Sequence, residues 1–402
     1  MSTTFAGLGV PDALTRALAR DGITEPFPIQ SVTIADGRAG RDVCGRAKTG
    51  SGKTLAFGLP LLERVVKAQP RRPRGLVLVP TRELAKQVCD VLAPLGKVVD
   101  RRVHAFYGGV GMEPQIKALR QGVDVVVGTP GRLIDLMERA ELSVATVEVL
   151  VIDEADRMAD MGFMPQVQKL LHRVEVAHQT MLFSATLDGA VKRLVQRYLH
   201  DPVFHEVVTL DATVEEMEHR FLEVHQMDKV KVAAAITRSV GRTLVFVRTK
   251  RGADRLVSQL RREGLRAGAI HGDLRQTARE KALADFSAGK LPVLVATDVA
   301  ARGIHVDAVD VVVHYDPAED HKAYLHRSGR TARAGASGVA VTLMMWNQEN
   351  DVRVIQRRLN LDEPVVSVFS NDPRLADLHD NGWREAANGT DGEIAMAAAA
   401  SA

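Results

Sequence analysis

Two hydrophobic patterns alternate along this chain of 402 residues. Short runs that are apolar at every position are followed by longer stretches in which apolar residues recur at helical spacing. Uninterrupted apolar runs are typical of parallel strands buried on both faces, whereas strands with one face in water alternate. The pattern therefore predicts an α/β fold, a doubly wound parallel sheet covered by helices on both sides.

The predicted strands form two series. The first series occupies residues 75–79, 124–127, 149–152 and 180–183, after a short apolar run at Val43 and Cys44. The second series occupies residues 243–247, 269–270, 293–296, 311–313 and 339–342. Helices are predicted between strands, for example at 113–121, 131–139 and 165–173. Pro60 conflicts with an unbroken helix after residue 53, so we expect a kink or an early end there.

A polar, acidic stretch separates the two series, and a chain of this length commonly forms two domains. We predict a first domain at 1–207, a linker at 208–217, a second domain at 218–368 and a short acidic, disordered tail at 369–402. From 371 to 402 there are six acidic residues and two arginines, a net charge of −4. Because the whole chain carries +3, the remainder carries +7, a mild basic bias.

Composition excludes several classes of protein. With 46% hydrophobic and 26% charged residues, the chain is typical of a globular protein, and no apolar run approaches the roughly 18 residues of a membrane span. The amino terminus lacks the features of a signal peptide, so we expect a cytoplasmic protein. The two cysteines show no metal-binding spacing. Aromatic residues make up only 4%, so nucleic acid would be bound mainly through its backbone.

Closely spaced glycines follow the apolar run at 43–44 and precede a helical pattern. Such a strand–loop–helix turn directs consecutive backbone N–H groups at a polyphosphate. Lys53 would then reach the β and γ phosphates, and the Thr54 hydroxyl would bind Mg²⁺. An ordinary Gly/Ser turn is the alternative, which the position between a strand and a helix disfavours. The predicted loop comprises Ala47, Lys48, Thr49, Gly50, Ser51, Gly52, Lys53 and Thr54.

An acidic cluster follows the predicted strand at 149–152. The carboxyl ends of strands are where doubly wound sheets bind ligands. Asp153 is predicted to hold Mg²⁺, mostly through water, and Glu154 to orient or deprotonate the water that attacks the γ phosphate. The alternative, acidic capping of the next helix, is common for one Asp but does not account for the cluster.

The sequence at 153–156, Asp-Glu-Ala-Asp, resembles the signature of the DEAD-box ATP-dependent RNA helicases. In that family the phosphate loop also begins with Ala, as at Ala47. The other motifs occur in the family's order over about residues 5–340. The resemblance implies two tandem RecA-like domains, of which one carries the phosphate loop. A single loop for two similar domains suggests one nucleotide held between them.

Residues 22–30 resemble the family's adenine-binding Q motif. The resemblance implies nucleotide contacts for Ile23 and Gln30, and for Phe5 as the upstream aromatic residue. A Gln amide both donates and accepts hydrogen bonds, so it can match an adenine edge and distinguish ATP from GTP.

Several short motifs of the first domain resemble RNA-contacting and coupling elements of the family. Arginines, hydroxyls and glycine N–H groups at strand ends can hold phosphates without reading bases. The RNA-binding residues so implied are Arg82, Gly109, Thr129 and Arg132. Ser184 and Thr186 belong to a motif that couples ATP hydrolysis to strand separation, with hydrogen bonding expected towards Asp156.

The second domain resembles the remaining motifs. The RNA-binding residues implied there are Arg248, Gly272, Arg279 and Thr297, and Gly303 belongs to a motif that faces both ATP and RNA. His305 replaces the Asp that the family usually has for ribose contact, which puts that contact in doubt. Arg327 and Arg330 resemble arginine fingers, and their spacing predicts that they share one helix face. The resemblance implies that they reach the γ phosphate when the domains close.

The resemblance implies an RNA-stimulated ATPase that uses ATP and Mg²⁺, binds RNA through its backbone and locally opens short duplexes or remodels ribonucleoprotein. We expect a monomer without membrane contact, of a bacterial type similar to RhlE. Proteins of ribosome assembly or RNA degradation are candidate partners. Two alternatives stay open: a DNA-dependent translocase with the same core, and an ATP-gated RNA clamp with little unwinding.

Overall fold

The computed structural model describes residues 4–47, 50–187, 189–207, 217–301, 309–331, 338–379 and 383. The chain divides into two compact units, Met1–Thr209 and Leu210–Ala402. This division falls within the predicted linker, whose residues 208–216 lie outside the described part. Met217 already begins a strand. Among the described residues, no helix combines the length and the apolar character needed to cross a membrane.

The first unit is built on a parallel sheet whose helices cover both faces. Its strands are β1 Val43–Arg46, β2 Gly75–Leu78, β3 Val103–Phe106, β4 Val125–Gly128, β5 Val149–Asp153, β6 Gln179–Ser184 and β7 Val203–Glu206. Its helices are α1 Asp12–Arg20, α2 Pro28–Arg38, α3 Lys53–Arg64, α4 Arg82–Val98, α5 Glu113–Arg120, α6 Pro130–Glu138, α7 Ala155–Asp160, α8 Met164–Leu171 and α9 Gly189–Tyr198.

The second unit has the same kind of sheet. Its strands are β8 Met217–Val224, β9 Thr243–Val247, β10 Ala267–Ile270, β11 Val293–Thr297, β12 Val311–His314, β13 Gly338–Met344 and β14 Val365–Val368. Its helices are α10 Lys229–Ser239, α11 Lys250–Arg262, α12 Gln276–Ser287, α13 Asp298–Ala301, α14 His321–Ser328 and α15 Glu349–Leu359, with 3₁₀ turns at Trp346–Gln348 and Pro373–Ala376.

The two sheets have the same order of corresponding strands. The strand order is β3-β4-β2-β5-β6-β1-β7 in the first unit and β10-β11-β9-β12-β13-β8-β14 in the second. Each strand of the first sheet therefore corresponds to the strand seven places later in the chain. The prediction of two doubly wound parallel sheets is confirmed, and the arrangement matches tandem RecA-like domains.

The sheet order decides which loops meet. In the first unit the carboxyl ends of β5, β6 and β1 are adjacent, because β6 pairs with both neighbours. The carboxyl ends of β3, β4 and β2 form a second group beside them. Ligand sites of such sheets lie beyond these ends. The first group carries the phosphate loop and the acidic cluster, and the second carries predicted RNA-binding residues.

Sequence analysis did not predict strands β3, β7 and β8, and the reason is physical. The edge strands β3 and β7 are only half buried, so they lack an uninterrupted apolar run. Within β8, the polar residues Glu218, His219, Arg220 and Glu223 hid a strand that pairs with both β13 and β14. Polar residues are tolerated there because they have partners; His219 Nδ1, for instance, lies 2.7 Å from the Tyr324 hydroxyl.

Two segments continue further than the sequence predicts. Helix α3 does not end at Pro60 but continues to Arg64, and Pro60 is buried against the backbone of Gly37, where a Cβ would lie 2.9 Å from its ring. The chain also does not become disordered at 369. The side chains of Leu375, Leu378 and Trp383 join the buried core of the second unit. Residues 380–382 and 384–402 of the predicted tail lie outside the described part.

Candidate nucleotide and RNA sites

The phosphate loop joins β1 to α3 through left-handed glycines. Gly50 and Gly52 have φ angles of 86° and 87°, which favour glycine. A Cβ at Gly52 would lie 2.4 Å from the ring of Phe27 and 2.5 Å from Nε2 of Gln30. Lys53 is the first residue of α3, and no side chain caps this helix start. Its amino-terminal N–H groups therefore suit an anionic phosphate. Lys48 and Thr49 lie outside the described residues.

Lys53 is buried at the amino end of α3, beside the acidic cluster. Its Nζ donates to the carbonyl oxygen of Ala47 at 3.2 Å and lies 3.8 Å from Oδ1 of Asp153. Ala47 itself is fixed by a hydrogen bond from its N–H to the carbonyl oxygen of Ser184. Thr54 follows in the first turn of α3. Ala47, Lys53 and Asp153 therefore lie close together beyond the carboxyl ends of β1 and β5.

Gln30 links the predicted adenine motif to this loop. Its Nε2 donates to the carbonyl oxygen of Gly52 at 2.8 Å, and its Oε1 accepts from the backbone N–H of Phe27 at 2.9 Å. Gln30 is 1% exposed. An amide side chain has one further N–H and one further lone pair, which suffice for one donor and one acceptor contact with a base.

The aromatic part of the predicted adenine site requires a correction. Phe5 belongs to the apolar core cluster of the first unit, so its ring packs among core side chains, whereas the equally buried Gln30 contacts the phosphate loop directly. Ile23 is 36% exposed, as the prediction requires. Phe27 is the accessible aromatic residue, 57% exposed, with its ring against Gly52. Sequence analysis missed Phe27 because it stands between two prolines in a turn that offers no periodicity.

Asp153 is the last residue of β5 and is buried. Burial raises the pKa of its carboxyl from an ordinary value of 3.8 to about 6, and the Lys53 ammonium lowers it only in part. The neighbouring charge of Glu154 raises it further. The positive charge of Lys53 offsets only part of the cost of burying this carboxylate. A bound cation would stabilise its charged form further.

Glu154 stands in an unusual backbone conformation between β5 and α7. Its φ of 53° and ψ of 49° are left-handed, a strained region for a residue that is not glycine. Its side chain is buried, and Oε2 accepts a hydrogen bond from Nη1 of Arg157. The Nε and Nη2 atoms of Arg157 are buried without a hydrogen-bond partner. Arg157 is a site residue that the sequence motif did not reveal.

Asp156 connects the acidic cluster to the loop after β6. Its backbone N–H donates to the Ser184 hydroxyl at 3.1 Å. Its Oδ2 accepts from the backbone N–H groups of Ala185 and Thr186, both at 3.2 Å. The hydrogen bonding expected between Asp156 and this tripeptide is therefore present, although the contact of Thr186 is made by its backbone.

The predicted RNA-binding residues of the first unit follow the carboxyl ends of β2, β3 and β4. The guanidinium of Arg82 lies against Gly109, where a Cβ would come within 1.9 Å of Nη1. Nη2 of Arg132 donates to the Val110 carbonyl oxygen at 3.3 Å, while its Nη1 is buried without a partner. Burial and the charge of Arg82 lower the pKa of Arg132. Thr129 precedes α6 and its hydroxyl does not cap that helix. This group is suited to a phosphate.

The predicted RNA-binding residues of the second unit occupy the corresponding places, at the carboxyl ends of β9, β10 and β11. The side chain of Arg248 is exposed, and its backbone N–H donates to Asp316. Gly272 is exposed beside Lys250, and a Cβ at Gly272 would lie 3.6 Å from Cε of Lys250. The hydroxyl of Thr297 is buried without a partner. Arg279 is on α12 and nearly buried.

The predicted pair of arginine fingers requires a second correction. Arg327 is 2% exposed, and both Nε and Nη2 donate to the carboxylate of Asp298 at 2.6 Å. Nη1 donates to the Asp316 carbonyl oxygen, and the guanidinium lies over the Phe246 ring. Arg327 is therefore a core residue of the second unit. Since α14 ends at Ser328, Arg330 does not share a helix face with it.

Gly303 and His305, with the proposed ribose contact, lie outside the described residues. Within the described part, no group of three or more His, Cys, Asp or Glu side chains has the geometry of a metal site. A cation held mainly by a nucleotide and water does not need such a group.

Family models and curated relatives agree with these motifs. The DEAD/DEAH box helicase model matches residues 27–194, and the helicase conserved C-terminal domain model matches residues 225–335. The chain is 41% identical over 359 residues to the DEAD-box ATP-dependent RNA helicase CshA of Bacillus licheniformis, covering 89% of this chain and 74% of the relative. It is 39% identical to CshA of Bacillus subtilis, covering 89% and 72%.

Solved structures show the same similarity. Dbp5 of S. cerevisiae bound to RNA and ADP BeF3 has a TM-score of 0.80 at 29% identity, covering 92% of this chain and 97% of that chain. A DEAD box protein from Methanococcus jannaschii has a TM-score of 0.52 at 35% identity, covering 91% and 99%.

Proposed function

The chain belongs to the DEAD-box ATP-dependent RNA helicases, and we propose that it couples RNA-stimulated hydrolysis of ATP to local opening of short RNA duplexes or to remodelling of ribonucleoprotein. One observation carries the proposal. The phosphate loop, the acidic cluster and the Ser184 tripeptide are joined by direct contacts at three adjacent strand ends, while residues suited to phosphates follow the other strand ends.

We propose that ATP binds in the first unit, with its phosphates at the amino end of α3. Lys53 binds the β and γ phosphates, and Gln30 binds the adenine edge with the donor and acceptor that its internal contacts leave over. Phe27 replaces Phe5 as the aromatic residue beside the base, because its ring is exposed next to Gly52.

The residues present fit Mg²⁺. Thr54 and Asp153 supply the oxygen ligands that this cation prefers, and the poorly compensated charge of Asp153 supports the assignment. A bound Mg²⁺ would neutralise charge on the phosphates during hydrolysis. In the protein, Asp153 would orient that cation through water, and Lys53 would keep the phosphates in place.

Glu154 is proposed to orient the attacking water. The strained backbone at Glu154 and its hydrogen bond with Arg157 fix the direction of the carboxylate. Arg157 is therefore a positioning residue, which acts through Glu154 and does not touch the nucleotide. Fixing the general base before the substrate arrives reduces the entropy lost in reaching the reactive geometry.

We propose that RNA is held by its sugar-phosphate backbone. Arg82, Thr129 and Arg132 supply donors in the first unit, with Gly109 allowing close approach; Arg248, Gly272, Arg279 and Thr297 occupy the corresponding places in the second. Backbone contacts position RNA without specifying its sequence. Contacts to 2′-hydroxyls would distinguish RNA from DNA.

ATP and RNA are proposed to favour the same closed arrangement of the two units. Asp156 ties the ATPase residues to Ser184 and Thr186, so a movement at one loop is transmitted to the other. Arg330 is proposed to reach the γ phosphate from the second unit in the closed state, and Gly303 is proposed to belong to the motif that serves both ATP and RNA. The coupling free energy must be reciprocal: RNA tightens ATP binding as much as ATP tightens RNA binding.

The test measures ATP hydrolysis with RNA, with single-stranded DNA of the same sequence, and without nucleic acid. RNA alone should stimulate turnover, and a ~10 bp RNA duplex should be displaced in the presence of ATP. Stimulation by DNA alone would support a translocase. Tight binding of RNA with an ATP analogue, without displacement, would support a clamp. The similarity to RNA helicases favours neither alternative. We further propose a cytoplasmic monomer of the RhlE type, with proteins of ribosome assembly or RNA degradation as its partners.

A further inference from the structure

A basic cleft lies on the first unit, away from the sites described above. It is an open depression of about 260 Å³ between the carboxyl end of α4 and the carboxyl end of α5, over the edge strand β3. Its polar lining is Lys97, Arg101, Arg102, His104 and Gln121. Alanine and valine side chains form its floor. No carboxylate is among the described residues that line it.

Positive charge exceeds negative charge at the basic cleft. Lys97 and Arg102 are exposed. The guanidinium of Arg101 donates to the carbonyl oxygens of Val65, Val99 and Asp100. The carboxylate of Asp100 forms its ion pair with Lys67, and its pKa is lowered by Lys67 and, to a smaller extent, by Arg101 and Arg102. One exposed carboxylate among these cations leaves a net positive surface, which favours an anionic ligand.

A buried carboxylate fixes the shape of the basic cleft. Asp124 is 0% exposed and accepts hydrogen bonds from the backbone N–H groups of Ala68 and Arg102, both at 2.7 Å. It thereby fastens the turn before β3 to the segment before β2. The guanidinium of Arg102 lies across Gly122, where a Cβ would come within 2.8 Å of Nη2. The basic side chains therefore project from a rigid base, which lowers the entropy lost on binding.

The position of the basic cleft relates it to the RNA-binding residues. It lies at the amino ends of β3 and β4, whereas Gly109 and Thr129 follow the carboxyl ends of the same strands. Strands of four residues span about 13 Å. Since β3 is the edge strand of the sheet, the basic cleft and Gly109 lie at opposite ends of one edge strand.

The lining favours a sugar-phosphate backbone over other anions. Lysine and arginine side chains around an open depression suit a chain of phosphates, and small apolar side chains can pack against ribose. Among the described residues, the cleft has no Phe, Tyr, Trp or large aliphatic side chain that would anchor a protein partner. The amino end of α3, where the ATP phosphates are proposed to bind, is not part of this cleft.

We propose that the basic cleft binds the backbone of RNA that extends beyond the core binding residues. It anchors long substrates while the core acts on one short segment. This inference rests on the proposed RNA binding by the core, so the experiment separates the two by RNA length.

The test variant combines Lys97→Gln, Arg102→Gln and Lys117→Gln. Lys117 lies on α5 four residues before Gln121 and is exposed. Arg101 is kept because its contacts hold the turn. The matched control combines Arg173→Gln, Lys192→Gln and Arg193→Gln, three exposed cations elsewhere on the same unit. Thermal unfolding of both variants verifies that the fold is intact.

Fluorescence anisotropy with a non-hydrolysable ATP analogue compares RNAs of ~10 and ~40 nucleotides over a range of salt. For the longer RNA, the variant should lose about tenfold in affinity, and the slope of log affinity against log salt should fall by about 2, as for three lost phosphate contacts. For the shorter RNA, affinity and stimulated hydrolysis should stay unchanged.

Equal losses for both RNAs, or losses no larger than in the control variant, would overturn the inference. Normal binding of long RNA by the variant would overturn it as well, since that result is expected of a surface that serves an acidic protein. Failure of the proposed function looks different, because the wild-type protein would then bind neither RNA and show no stimulated hydrolysis.

Discussion

Arg157 Nη1 donates a hydrogen bond to Oε2 of Glu154, three residues earlier, and both side chains are almost fully buried. The carboxylate that we propose to orient the attacking water is therefore held by a positively charged side chain on α7. This contact, and the strained backbone that accompanies it, give the acidic cluster a fixed geometry before any nucleotide binds.

Arg157→Ala should lower kcat by about 10- to 100-fold with little change in the KM for ATP, because the water-orienting carboxylate loses its support. Removing one partner of this buried ion pair should also cost roughly 3–5 kcal/mol of stability. Arg157→Lys keeps the charge and should recover part of kcat. Steady-state kinetics and denaturant unfolding measure the two effects.

Arg139→Gln is the matched control, since Arg139 forms an exposed pair with Asp135. It should change neither kcat nor stability measurably. A kcat of Arg157→Ala equal to that of the wild type would remove the positioning role, even if stability fell.

Asp153→Asn should stabilise the ligand-free protein at neutral pH while abolishing turnover. The pKa of Asp153 is raised by burial from 3.8 to about 6, so the folded state binds more protons than the unfolded state between these values. Stability therefore falls as pH rises through this window, by up to about 3 kcal/mol at full linkage. The variant should not lose stability in this pH window, and the free energies of unfolding of the two proteins should become equal below about pH 4.

Urea unfolding as a function of pH measures this difference. Asp160→Asn, at an exposed position of α7, is the control and should stay within about 0.5 kcal/mol of the wild type at every pH. If Asp153→Asn destabilised the protein at pH 7, burial would not be the dominant influence on this carboxyl. A related expectation is that ATP·Mg²⁺ binding weakens as pH falls below about 6, when Asp153 takes up a proton.

Arg327→Ala and Arg330→Ala should behave differently, although sequence analysis paired them. Removing Arg327 leaves Asp298 without its bidentate partner inside the second unit and should cost roughly 3–5 kcal/mol. Removing Arg330 should lower kcat by about 10³-fold or more, because it is proposed to stabilise the transition state.

Calorimetry of the full chain and RNA-stimulated hydrolysis distinguish the two roles. Asp298→Asn, which retains a hydrogen-bond acceptor for Arg327, serves as a milder companion and should lose less stability than Arg327→Ala. A stable Arg327→Ala protein with reduced kcat would restore Arg327 as a finger.

Gln30→Glu and Gln30→Ala should both weaken discrimination between ATP and GTP. Gln30→Glu retains the acceptor for the Phe27 N–H but loses the donor to the Gly52 carbonyl oxygen. Gln30→Ala loses both internal hydrogen bonds, at about 1 kcal/mol each, whereas Gln30→Glu buries a carboxylate against the Gly52 carbonyl oxygen and should be the less stable of the two. The ratio of kcat/KM for ATP and GTP is the measurement, and a ratio unchanged in both variants would exclude Gln30 from base recognition.

How far the sequence predicts this molecule depends on the kind of feature. Uninterrupted apolar runs such as those of β5 and β9 predicted the buried strands, because a strand covered on both faces has only apolar positions. Edge strands such as β7, and the polar strand β8, resemble ordinary loops in their sequence. Their strand character comes from partners far along the chain.

The site shows the same division. Lys53 and Asp153 meet as predicted, since glycine placement and strand ends are local properties. The burial of Phe5 and the pairing of Arg327 with Asp298 depend on how side chains pack, which a motif does not encode. Spacing predicted that Arg327 and Arg330 share a face, but that inference requires a helix, and α14 ends between them. Phe27 and Arg157 carry no signal beyond their neighbours in the chain.

The most direct test of the account is ATP hydrolysis by Glu154→Gln, measured with saturating RNA and alongside ATP and RNA binding. The substitution keeps the shape of the side chain and a hydrogen-bond acceptor, but not the carboxylate that would orient the water. We predict ATP affinity near that of the wild type, RNA-stimulated kcat reduced by at least about 10²-fold, and a long-lived complex with RNA. Normal RNA-stimulated hydrolysis by this variant would contradict the account.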